Sequence, residues 1–402
     1  MTPQPLAGYR VIDFCWMIAG PLATRLLADL GAEVIKVESL ARVDRIREVG
    51  VQPRGQMSSE TNGVFNDCNP NKKSVMLNLG TAKGIALAKD LVRHADIVTS
   101  NFTPDRMDRW GLGYGDLKAV KDDIIVASLP VMGSAGPHSG WRAVGNGVVA
   151  MSGLNALTGF SDRPPIGLGT LHSDFTTPYF AALQIAAAVL HRQKTGEGQY
   201  IELSQYEASV HLLDTELSEY LVNHHEPGRN GNRSTEYAPH GVFRCSGDDR
   251  WIAISVRDTA EWHALCETLG LTELAKRPEL ELVEGRHAAA DEIEAAIGER
   301  VQGEDDWAVS ARLQQRGVPA SPVEDVGDLV GRDPMARGFF EEIDHPAGMS
   351  MLLQHEPVLW NGERLPIRRA PLMGEHTEEV FSGLLGLGSE DLANLVEEGV
   401  LY

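Results

Sequence analysis

At 402 residues, 43% of them hydrophobic and 23% charged, the chain is too long for one small core and too apolar for long disorder, so two domains are expected. A formal net charge of -21 argues against nucleic acid or an anionic membrane as partner, because both would be repelled before contact. No apolar run approaches the roughly 20 residues that span a bilayer, the N-terminus lacks a signal-peptide pattern, and Cys15, Cys68, Cys245 and Cys266 are scattered without CxxC spacing. The expectation is a cytoplasmic protein with reduced thiols, no metal and a soluble substrate.

In chain order, Tyr9 to Phe14 predicts a strand, Gly20 to Leu30 a helix and Val34 to Val37 a second strand. Strand, helix, strand within some thirty residues is a βαβ unit, which calls for a parallel sheet and an α/β fold. Ser74 to Leu77, Asp96 to Thr99 and Ile124 to Ser128 continue the strands, and Thr81 to His94 reads as a helix. The first βα turn, Met17-Ile18-Ala19-Gly20-Pro21, is not GxGxxG, so a nicotinamide dinucleotide site is poorly supported. Pro164 to Gly169 cannot extend a helix, whereas the Ala-rich run Phe180 to Leu190 can. With Pro178 in a first turn, Ser173 or Asp174 becomes the N-cap, and Asp174 is then held ionised by unpaired N–H groups and the helix dipole. A fixed carboxylate is a nucleophile or a plain helix cap, and this local pattern fits the cap at least as well.

Further on, Gln205 to Tyr220 reads as one helix and His224 to Glu236 as a loop. Trp251 to Val256 is a strand, Glu261 to Leu269 and Ala288 to Val301 are helices, and the tail from Pro371 to Tyr402 ends in two short amphipathic helices.

The run Arg192 to Ala208, with Gly196-Glu197-Gly198-Gln199 at its centre, resembles the class III CoA-transferase family, which includes formyl-CoA transferase and carnitine CoA-transferase. The resemblance extends nearly end to end, through Pro5 to Asp13, Ala19-Gly20-Pro21, Leu26 to Glu38, Asn71 to Val75, Asn101-Phe102 and Ala370 to His376. It implies that Asp174 carries the acyl group covalently. It also implies a Rossmann-like large domain made from both chain ends, a small α+β domain and an interlocked, ring-like homodimer. The domains are then 1–205 and 326–402 for the large one, 206–235 as linker and 236–325 for the small one. No permanently bound cofactor is implied, only coenzyme A as substrate carrier. Acyl-CoA and a carboxylic acid are the partners.

Carried over residue by residue, the resemblance assigns CoA contacts to Met17, Ile18, Leu77, Lys72, Lys73, Asn101, Phe102, Arg109, Arg142 and Gln205, with Arg42 or Arg45 filling in for a missing arginine at Ser39. Attack by the Asp174 carboxylate on the thioester gives a mixed anhydride, which CoA thiolate reopens to an aspartyl-CoA thioester. The glycine stretches Gly145 to Gly147 and Gly167 to Gly169 are candidate oxyanion donors, or merely turns. The Gly228 to Arg233 and Ala238 to Gly241 stretches are similar to the succinyl-CoA-dependent, dicarboxylate branch, with Arg47, Asn146, Tyr237 and His240 as substrate contacts. Arg229 and Arg233 are either further cations for a second carboxylate or braces of the loop. Two alternatives stand: an α-methylacyl-CoA racemase, although its histidine is missing near Gly145-Asn146-Gly147, and a non-catalytic CoA-binding subunit of a hetero-oligomer.

Overall fold

The computed structural model describes residues 4–53 and 58–402. It divides into two compact units, Met1–Ala156 with Gly167–Pro227 and Gly338–Tyr402, and Leu157–Ile166 with Gly228–Arg337. This departs from the expected boundaries at both ends of the small domain. The span 206–223 is helical and belongs to the first unit, and 157–166 joins the second, where the Gly231 N–H donates to the Gly159 carbonyl at 2.9 Å.

The first unit is built on six parallel strands, β1 Arg10–Asp13, β2 Glu33–Glu38, β3 Lys73–Met76, β4 Ile97–Ser100, β5 Ile125–Ser128 and β6 Tyr200–Glu202, in the order β3-β2-β1-β4-β5-β6. Short β-branched runs such as Ile97-Val98-Thr99 suit a strand covered on both faces. Alternation divides them. Ile12, Ile35, Val75 and Val98 meet Ala88 and Leu91 of helix Ala82–Arg93 on one face, together with Phe381, Leu392 and Leu395 of the two C-terminal helices. Val11, Val34, Ile97 and Ile125 meet Leu27 and Ala28 of helix Ala19–Asp29 and Ile185 and Val189 of helix His172–Thr195 on the other. Because the strand order reverses at β1 and β4, the crevice beyond their carboxyl ends is the switch point where such sheets bind ligands.

Three local expectations are corrected. Helix His172–Thr195 begins two residues early, its N-cap is Leu171 without a side-chain cap bond, and Asp174 is its third residue. Pro178 lies inside the helix and has no N–H for the carbonyl of Asp174 four residues before it. The expected single helix from Gln205 is Gln205–Val210, a 3-10 turn His211–Leu213 and Asp214–Asn223. An antiparallel hairpin of Phe340–His345 and Met349–Gln354 was not anticipated.

The second unit holds the antiparallel strands β7 His240–Arg244, β8 Trp251–Ser255 and β9 Ala320–Pro322. Ile252 and Ile254 pack on Trp262, Leu265, Ile293 and Ile297 of helices Thr259–Leu269 and Ala290–Val301. No helix among the described residues is long and apolar enough to cross a membrane.

Candidate active site

Three helix starts meet at Asp174. Gln205 opens helix Gln205–Val210, whose N-cap Ser204 accepts from Glu207 N, and its Nε2 donates to Asp174 Oδ1 and, at 3.1 Å, to Ser173 Oγ. Ser173 donates its own hydroxyl to the Gly145 carbonyl at 3.1 Å, and the N–H of Gly145, first residue of helix Gly145–Met151, donates to the Asp174 carboxyl. A side chain at 145 is excluded, since a Cβ there would stand 2.5 Å from Asp174 Oδ2. Ser173 and Gln205 are buried and Asp174 is half-buried.

Burial pushes the Asp174 carboxyl above its ordinary value, and the Gln205 and Gly145 hydrogen bonds pull it part of the way back; the helix dipole and capping N–H groups expected to hold its charge are thus joined by an opposing desolvation. No charged group among the described residues contributes. The arrangement is an oriented, partly desolvated carboxylate served by neutral donors. Such a group retains its nucleophilicity better than one locked to a cation.

The switch-point crevice is built from Trp16, which follows β1, and Asn101 and Phe102, which follow β4. The Asn101 side-chain amide accepts from Trp16 N–H at 2.8 Å and donates to the Trp16 carbonyl at 2.8 Å, clamping the backbone of that one residue at both its peptide groups. Phe102 stands edge-on between Trp16 and Trp110, with centroids at 5.3 and 5.4 Å. Arg42 lies over Trp16 and Arg106 over Trp110. Met17 takes a left-handed φ of 65°, held by its N–H to Asp44 Oδ1 at 3.0 Å. Ile18 packs in one apolar cluster with Leu171 and Phe175, so the Met17-Ile18 turn reaches the residues that flank Asp174.

Other carried-over residues have different work. Lys72 is buried, bonding Asp13, the Pro21 carbonyl, Thr24 and Asn69, and has no donor left for a phosphate. Lys73 is paired with Glu33 and Glu379, and Leu77 is core. Arg47, expected at the substrate, is buried in a two-pronged pair with Glu38 at 2.7 and 2.8 Å, bonds Glu60, and lies 3.5 Å from the Phe65 ring centroid. Arg109 is exposed and paired with Asp105; Arg42, Arg142 and Asn146 are exposed. In the second unit the His240 Nδ1 meets the Asn232 carbonyl at 2.7 Å, Tyr237 is exposed, and Arg233 is taken by Glu294 and Asp291, a brace rather than an open cation. Of the glycine stretches only Gly145 touches Asp174, while Gly167 and Gly169 have open space around them. The roles of Trp16 and Asp44 were missed, because neither lies in a periodic or motif position.

Residues 6–377 match the profile of CoA-transferase family III. A succinyl-CoA–D-citramalate CoA-transferase of Chloroflexus aurantiacus is 31% identical over 99% of this chain and 98% of its own length. A formyl-CoA:oxalate CoA-transferase of Streptomyces coelicolor is 29% identical over the full length of both. The crystal structure of a CAIB/BAIF family protein from Brucella suis superposes with a TM-score of 0.86 at 30% identity, over 96% of this chain and all of that one. The chain belongs to CoA-transferase family III.

Proposed function

We propose that the protein moves CoA between an acyl-CoA and a free carboxylic acid in the cytoplasm, with Asp174 as the covalent carrier. One observation carries this reading: a half-exposed carboxylate, oriented by Gln205 and Gly145, stands uncompensated by any cation among the described residues. Asp174 attacks the thioester carbonyl and expels CoA thiolate, leaving a mixed anhydride. The thiolate attacks Cγ of Asp174, releasing the donor acid and forming aspartyl-CoA. The acceptor carboxylate then runs the two steps in reverse. The crevice of Trp16, Asn101 and Phe102 supports a place for the CoA nucleotide, with Arg42 and Arg106 at its rim for phosphate.

Gly145 bears on the alternative. Racemisation at an α-carbon requires a second acid or base beside Asp174, and the backbone there is packed too closely to the carboxylate to carry one. For the acyl group we favour a dicarboxylate such as succinyl, on the strength of the relatives. Arg47 and Arg233 do not support that choice, since both are spent within the fold. We further propose a homodimer: Tyr179, Leu183 and Leu190 lie exposed along helix His172–Thr195, an apolar stripe that a second copy would cover.

Incubation with a panel of acyl-CoAs followed by intact-protein mass spectrometry tests the reaction. Succinyl-CoA should add the mass of CoA less water at Asp174 and release succinate. Turnover without any adduct would refute the covalent carrier, and light scattering at a single-chain mass would refute the dimer.

A further inference from the structure

Two of the four steps proposed above take place at Cγ of Asp174 itself, and each needs donors for the oxygen that remains on that carbon. Ser173 gives its only hydrogen to the Gly145 carbonyl, so toward Gln205 it can only accept. This fixes the Gln205 amide with its NH2 toward Ser173 and Asp174, and both N–H bonds are used. Asp174 Oδ1 is thereby held by Gln205, while Oδ2 lies against Gly145, where any side chain would collide with it and glycine leaves room for an incoming acyl group.

We infer that Gln205 is a catalytic residue, the oxyanion donor for the steps at the aspartyl carbon, with Oδ1 retained on Cγ throughout and Oδ2 the oxygen that attacks the acyl group. This rests on the covalent reading of Asp174. When CoA thiolate attacks the anhydride, the C–S bond forms at Cγ, the carbonyl pair moves onto Oδ1 against the Gln205 N–H, and it returns as the bond to Oδ2 breaks. Oδ2 leaves within the donor acid. When the acceptor carboxylate attacks aspartyl-CoA, a C–O bond replaces the C–S bond, CoA thiolate departs, and Oδ1 passes through the same oxyanion. No proton, oxidant or further reactant is needed. A neutral amide suits the task, since it is aimed at the developing charge without tying up the resting carboxylate as an arginine would.

The test follows the CoA adduct in quenched-flow mass spectrometry of the full-length enzyme. Gln205→Met removes both donors at similar volume and should slow both formation and decay of aspartyl-CoA by roughly a hundredfold, with KM for acyl-CoA little changed. Gln205→Glu keeps the shape and decides the matter if the methionine variant does not fold. It should be as slow at pH 8, where two carboxylates face each other, and recover about tenfold towards pH 6 as one shared proton restores a donor. Wild-type adduct kinetics in Gln205→Met, or a Gln205→Glu variant whose deficit does not vary with pH, would overturn the assignment. A wild-type enzyme that turns over with no adduct would overturn the covalent reading beneath it, which the variants alone would not do.

Discussion

Around the carboxyl ends of β1 and β2 and the start of β3, the acids Asp13, Glu38 and Asp44 lie among the bases Lys36, Arg47 and Lys72, none more than 4% exposed. At the head of helix His172–Thr195, Asp174 meets an amide and a peptide N–H instead. In the first region burial works against each charge, yet Lys72 and Lys36 bring the Asp13 carboxyl below its usual range, and Arg47 does the same for Glu38. In the second, burial prevails and the carboxyl rises. On the reaction proposed above, the difference separates architecture from chemistry: an acid that holds the fold is matched with a base, and the one proposed to react is merely aimed. The matched array has a purpose of its own, because Lys36 also bonds the Cys15 carbonyl and Asp44 holds Met17, so it braces the turn beside the switch point.

Removing the aimed acid should have the largest effect. Asp174→Ala should lower transfer by at least about 10⁴-fold while costing the fold only about 1–3 kcal/mol, for the Gln205 and Gly145 donors left without their acceptor. Activity within tenfold of wild type would erase the distinction drawn above. Removing a matched base should do the reverse. Arg47→Ala leaves Glu38 buried without its partner and should cost about 3–5 kcal/mol in denaturant unfolding, with the folded fraction keeping its preference among acyl groups. A stable variant with altered acyl selectivity would return Arg47 to the substrate. A smaller effect is expected at the crevice, where Asn101→Ala gives up both bonds to the Trp16 backbone. KM for CoA should rise roughly tenfold with kcat nearly constant. A fall in kcat alone would separate this crevice from CoA binding.

Much of the fold, though not this contrast, is legible in the sequence alone. The βαβ start, the strands at Asp96 and Ile124 and the two terminal helices follow from β-branched runs and 3.6-residue periodicity, while Asp174 is singled out by a family resemblance. Positions that resemble a cofactor motif were harder to interpret, since Lys72 and Arg47 look like surface cations in sequence. Only the fold turns them inward, onto Asp13 and Glu38, whose own burial no local pattern announces. The hairpin Phe340–His345 was missed because Glu341, Glu342 and Asp344 give it the composition of a loop. The helix at Asp174 begins early because His172 and Ser173 take helical geometry without a capping side chain, an outcome that tertiary packing of Leu171 and Phe175 decides.

A third cluster sharpens the comparison where matching is incomplete. Arg25 is buried against Asp29 and also pairs with Asp67, and Glu356 adds another carboxyl hydrogen-bonded to Asp29. Burial first, and then repulsion by Asp29, push Glu356 up to about 7, with Arg25 opposing. A glutamate raised in the fold binds its proton there more tightly than in the unfolded chain. Its stabilising contribution is therefore complete below about pH 4.5, declines between there and 7, and is gone above. Glu356→Gln imitates the protonated form. It should be more stable than wild type at pH 8 by up to about 3 kcal/mol, or roughly 2–4 °C in Tm, and indistinguishable from it near pH 4.5. Neither Asp13 nor Glu38 should give this signature, since their carboxyls are lowered and their contributions disappear only as pH falls through the acid range. Equal Tm for Glu356→Gln and wild type at pH 8 would mean that Arg25 balances all three acids, and that the cluster belongs with the matched array after all.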